Sequence, residues 1–173
     1  MMHDRGGMMG GPRGEGMGSG IMTPDMPIPE KLQKPQSEAW VKQLDEVLAL
    51  EKLSKAQYEH DSASYRASMP YMMVEPQEEY HISMITRLFE AYGVKPDGQI
   101  PPVKQTDTLN QAYKVAADLE ADLIPRYERL IANAEDKTAE EVLGVILRQT
   151  RMHYRMFSHA MKIGGSFLPL HPT

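Results

Sequence analysis

From Ser37 onward, apolar residues recur at three- and four-residue intervals, and nothing alternates with the period of two that a half-buried strand needs. Four long helical segments follow from this pattern. The first opens at Ser37, an N-cap type of residue, and runs to about Ser68, where Met69-Pro70 stops it; its stripe is Trp40, Leu44, Val47, Leu48, Tyr58 and Tyr65. The second is placed from Pro76, a favoured first-turn residue, to Gly93, with His81, Ile85, Leu88 and Tyr92 on one face. The third begins near Thr106 or Asp107 and ends about Asn133, with Pro125 expected to kink it or mark a bulge. The fourth starts on a capping box, Thr138 to Glu141, and reaches Gly164-Gly165 with Leu143, Ile146, Phe157 and Ala160 along its stripe. The expected fold class is all-α.

The connections constrain the topology. Short links join helices one and two, and three and four, so each pair should form an antiparallel hairpin. Between helices two and three lie Val94 to Gln105, which at ~3.3 Å per residue can span ~40 Å, the length of a bundle. A long crossover between two hairpins is an arrangement found among four-helix bundles. The expected domain boundaries are an arm over 1–36, a bundle over 37–165 and a short tail over 166–173.

The arm differs in composition from the body. It holds half of the chain's 14 methionines, eight of its 13 glycines, and Pro24, Pro27, Pro29 and Pro35. Glycine at that density cannot repay the entropy of ordering, so a flexible arm is expected. Its thioethers with His3 suit monovalent copper or silver, although no regular Met-x-x-Met array recurs. Copper held there would give a weak lean towards an exported or periplasmic location, with the cytoplasm otherwise expected. An arm without a core of its own could also order by docking on a neighbouring subunit, which would make the protein a homo-oligomer.

Composition excludes several classes of function. The net charge of −5 argues against a nucleic-acid partner, and the absence of cysteine removes disulfides, thiolate metal sites and thiol nucleophiles. No stretch approaches the ~20 apolar residues of a membrane span. No charged start followed by an apolar run marks a signal peptide.

The informative positions are those where polar residues interrupt the stripes. Glu51 stands seven residues after Leu44 and seven before Tyr58 on helix one. Glu78 and His81, three apart, share the inner face of helix two. Glu120 lies between Ala116 and Leu123, and His153 between Ile146 and Phe157. Each helix thus turns at least one carboxylate or imidazole inward. Buried unpaired acids are costly, and a cation would satisfy several at once; this donor set suits iron or manganese, and also zinc. Other readings exist for each residue. Glu51 could pair with Lys52 or Lys55, Glu120 with Lys114 or Arg126, and His153 could be a hydrogen-bonded core histidine.

Leu50 to Leu53, Glu78-Glu-Tyr-His81 continuing to Gly93, Leu119 to Ile124 and Thr150-x-x-His153-x-x-x-Phe157 together resemble a rubrerythrin-like branch of the ferritin-like superfamily, over roughly Trp40 to Lys162. The resemblance implies a four-helix bundle, often dimeric, with a carboxylate-bridged di-iron or related centre. Glu51 and Glu120 would then be its ligands from helices one and three, and Glu78 with His81 its first Glu-x-x-His pair. The second pair departs from the pattern, because Thr150 stands where a glutamate is expected. The expected function is therefore a metal-binding protein with a mono- or dinuclear centre, redox-active towards iron, peroxide or oxygen if complete. The alternatives are an assembly subunit that has lost its centre, with the acids paired to Lys or Arg, and a copper or silver binder acting through the arm.

Overall fold

The computed structural model describes residues 25–164, in which four helices follow one another: α1 Glu38–Tyr65, α2 Tyr71–Tyr92, α3 Leu109–Ala132 and α4 Lys137–Lys162. Three of the four N-termini are capped by a side chain. Ser37, Thr108 and Asp136 accept from the backbone N–H groups of Trp40, Gln111 and Ala139. Asp136 therefore takes the role expected of Thr138, and α4 starts at Lys137. The C-terminus of α2 closes on Gly93 at φ +64°, where Gly93 N donates to Glu90 O and Val94 N to Phe89 O, each at 3.0 Å. A positive φ followed by a six-to-one bond is the glycine-terminated stop.

Helix α2 begins at Tyr71, five residues before the expected Pro76. Tyr71 and Val74 are fully buried, so an extra turn is stabilised by packing. Pro76 removes only the bond to Met72 O, on a face where Met72 is 64% exposed and water can hydrate that carbonyl. Pro125 lies on the exposed side of α3, and the helix runs through it for the same reason.

All packed neighbours are antiparallel. Trp40 near the start of α1 donates its indole N–H to Leu130 O near the end of α3 (2.9 Å), and Tyr65 at the other end of α1 donates to Thr106 O just before α3. Residues 94–108 cross the whole length of α1: Asp97 N reaches the Asp45 carboxylate, and Lys104 N and O both bond the Gln57 side chain. Twenty residues of helix and nine of extended chain both cover ~30 Å, so the crossover is as long as the bundle requires.

The arm's described part, 25–36, lies against the bundle. Leu32 N donates to Ala91 O (2.9 Å), Met26, Ile28 and Leu32 pack on the core, and the Glu135 carboxylate accepts from the amides of Gln36 and Ser37. This stretch is thus docked on its own chain. The methionine-rich part, 1–24, and the tail, 166–173, lie outside the described residues, and with them the copper and partner-docking expectations. No described helix is long and apolar enough to cross a membrane.

The core is built in two apolar halves. One gathers Leu44, Leu48, Ile85, Leu88, Leu123 and Leu143; the other gathers Tyr58, Tyr71, Tyr113, Ala116 and Phe157. Between them lies a plate of buried polar side chains.

Candidate metal centre

Glu51, Glu78, His81, Glu120 and His153 are each 0% exposed. Helix phase brings them inward, and the antiparallel packing brings them to one height. Glu51 Oε2 lies 3.2 Å from His81 Nδ1, and Glu78 Oε1 lies 3.9 Å from the same atom. On the other side, His153 Nδ1 lies 2.9 Å from Glu78 Oε1 and 3.5 Å from Glu120 Oε1. Glu78 stands between the two imidazoles, whose rings are 5.5 Å apart and 25° from parallel. Glu78, His81 and His153 each offer a ligand atom within 4.8 Å of the others.

The basic residues near in sequence point elsewhere. Lys55 pairs with Glu59 and Glu79, Lys114 with Asp118, and Arg126 with Asp122 and Glu46. The surface ion-pair readings of Glu51 and Glu120 therefore fail. So does the Lys or Arg pairing expected of a bundle that has lost its centre.

Four further side chains hold four of the five in place, all but Glu78. Tyr127 OH donates to Glu51 Oε1, and Tyr58 OH donates to Glu120 Oε1 at 2.6 Å. Burial, then the neighbouring carboxylate charges, push both phenols well above their ordinary pKa of 10.0, so they remain donors. Gln149 Oε1 lies 2.9 Å from His81 Nε2 and Gln77 Oε1 lies 2.7 Å from His153 Nε2. An amide oxygen can only accept, so each Nε2 carries the proton and each Nδ1 faces the carboxylates. The apolar stripes do not single out the two glutamines, and they leave Tyr58 and Tyr127 open to two readings, a core aromatic or a phenol near the site. The signal was present as Gln-x-x-x-His on both α2 and α4, and as Glu and Tyr seven residues apart on both α1 and α3.

Thr150 is fully buried, and its hydroxyl donates to Ile146 O (3.0 Å) on its own helix. It supplies no carboxylate to the plate.

The plate is not satisfied by its own hydrogen bonds. Both oxygens of Glu78, Glu120 Oε2 and His153 Nδ1 are buried without an aligned partner; the 2.9 Å approach of His153 to Glu78 has hydrogen-bond length but not hydrogen-bond direction. Burial, then the charges of Glu51 and Glu120, push the Glu78 carboxyl well above the ordinary 4.5. For Glu51, burial acts upward, but the charge and hydrogen bond of His81 outweigh it and the carboxyl lies below 4.5. In His81, burial acts downward and Glu51 more than offsets it, so the imidazole lies above 6.5. Carboxylate oxygens and an imidazole nitrogen from three helices, converging on one buried point without aligned hydrogen-bond partners, fit a cation.

The fold and this plate define an all-α ferritin-like four-helix bundle with a buried Glu/His/His group able to hold a metal ion. Among solved structures, Mycobacterium tuberculosis bacterioferritin BfrA superposes with a TM-score of 0.66 at 18% identity, covering 78% of this chain and 90% of that one. A conserved hypothetical protein from Mycobacterium tuberculosis superposes with a TM-score of 0.62 at 16% identity, covering 78% of this chain and 96% of its own. At such identities the likeness is one of fold. No family model and no curated protein sequence matches the chain.

Proposed function

We propose that this protein binds a divalent transition-metal ion, iron or manganese, in the core of its bundle. Glu78, His81 and His153 would be the central ligands, with Glu51 and Glu120 beside them. The observation that carries this reading is Glu78, a fully buried carboxylate with neither oxygen partnered and an imidazole nitrogen on each side. Gln77 and Gln149 support it, because a histidine ligand ordinarily donates its other N–H to a fixed acceptor. Iron or manganese held there would supply one-electron chemistry towards peroxide or oxygen. The chain's own residues do the rest: the two apolar halves exclude bulk water, and the phenols of Tyr58 and Tyr127 keep the flanking carboxylates oriented.

Equilibrium dialysis of the full chain against Fe(II) without oxygen, or against Mn(II), tests the reading. Uptake by the wild type that is lost in Glu78→Gln supports it. Absence of uptake by a folded wild type would overturn it.

A further inference from the structure

We infer that the centre holds one divalent ion per chain, shared by Glu78, His81 and His153, and not a pair; this rests on the metal-binding reading above. Three observations lead there. First, the two imidazoles and Glu78 offer their atoms to a common point, all within 4.8 Å of one another. Ligand atoms ~2.1 Å from one ion lie at most ~4.2 Å apart, so a closure of ~0.6 Å, within reach of side-chain rotation, completes a single site.

Second, the facing helices α2 and α4 supply one carboxylate between them. Two ions ~3.5–4 Å apart need bridging anions to offset their repulsion. Thr150 occupies the position where α4 would furnish the second bridge, and its hydroxyl is engaged with Ile146 O.

Third, the residual charge is better accommodated with one ion. Glu51, Glu78 and Glu120 carry three negative charges at most, and neutral imidazoles add none. Two divalent ions would leave an uncompensated positive charge in a site that is 0% exposed. One ion leaves a single negative charge, and Tyr58 and Tyr127 already donate to the two flanking carboxylates that would carry it. Tyr127 engages one oxygen of Glu51 and Tyr58 one of Glu120, whereas neither oxygen of Glu78 has an aligned hydrogen-bond partner. Two imidazoles and one carboxylate around an ion with open positions is a donor set suited to Fe(II).

Manganese is the probe that counts ions directly. The full chain is loaded with Mn(II), freed of excess metal, analysed for manganese per chain and examined by electron paramagnetic resonance. The expected result is one ion per chain with the hyperfine pattern of an isolated Mn(II). Thr150→Glu should raise the count to two and produce the spectrum of an exchange-coupled pair. Two coupled ions in the wild type would overturn the single-ion centre while leaving the metal-binding reading intact. One isolated ion that persists in Glu78→Gln would overturn the ligand assignment. A folded wild type that binds none would overturn both. The wild-type count decides the question even if Thr150→Glu fails to fold.

Discussion

Gln77 accepts from His153 across the α2–α4 interface at 2.7 Å, and the relationship is reciprocal: Gln149 accepts from His81 at 2.9 Å. Each glutamine stands four residues before the histidine of its own helix and serves the histidine of the other. The same exchange joins α1 and α3, where Tyr58 donates to Glu120 and Tyr127 to Glu51. The two hairpins thus build the plate as near-equivalent halves. The break in that equivalence is Glu78 on one side and Thr150 on the other.

If Gln77 fixes the ring of His153, then Gln77→Leu should weaken metal binding by ~10–100-fold, the usual cost of losing such a partner, while Gln77→Glu retains it. Nitrogen NMR of the metal-free protein gives an independent check. His153 should be the Nε2–H tautomer in the wild type and lose that preference in Gln77→Leu. An unchanged tautomer would remove the positioning role.

Tyr127→Phe deletes a donor to a fully buried carboxylate and leaves the ring in place. Hydrogen bonds to charged groups contribute about 1.5–3 kcal/mol, and the metal-free variant should lose stability in that range. Urea unfolding of the wild type and the variant measures it. A loss near zero would mean that the Glu51 oxygen finds another partner.

Residues 25–36 should contribute to folding. Leu32→Ala removes part of a half-buried contact with the core and should cost about 1 kcal/mol, roughly 2–4 °C in Tm for a domain of this size. A thermal melt checks it.

Glu135 gives that segment a pH dependence. The amides of Gln36 and Ser37 hold its carboxyl below the ordinary 4.5. An acid with a depressed folded pKa stabilises fully above its unfolded value and loses that contribution as pH falls through the folded one. The Tm advantage of the wild type over Glu135→Gln should therefore be largest near neutrality and disappear in acid. An advantage that is constant with pH would assign the contact to packing.

Much of this was legible in the sequence because helix phase is a strong signal. Glu51, Glu78, His81, Glu120 and His153 all fall at core positions, and all five are buried where the period puts them. The crossover followed from counting residues between Gly93 and the third helix. The start of α2 was not legible, since a proline at 76 reads as a first turn until the burial of Tyr71 and Val74 is known. Nor was the docking of 25–36, because Met26, Ile28 and Leu32 have no helical or strand period and gain their meaning from the groove they meet. The partners of the glutamines and tyrosines of the plate were hidden for a different reason. A local pattern shows which face a side chain takes, but not which helix it faces.

The most direct test of the central claim is the anomalous scattering of a crystal grown with Mn(II). The account predicts a peak ~2.0–2.2 Å from His81 Nδ1, His153 Nδ1 and an oxygen of Glu78. A well-ordered plate without a peak, its carboxylates and imidazoles bonded only to one another, would contradict it.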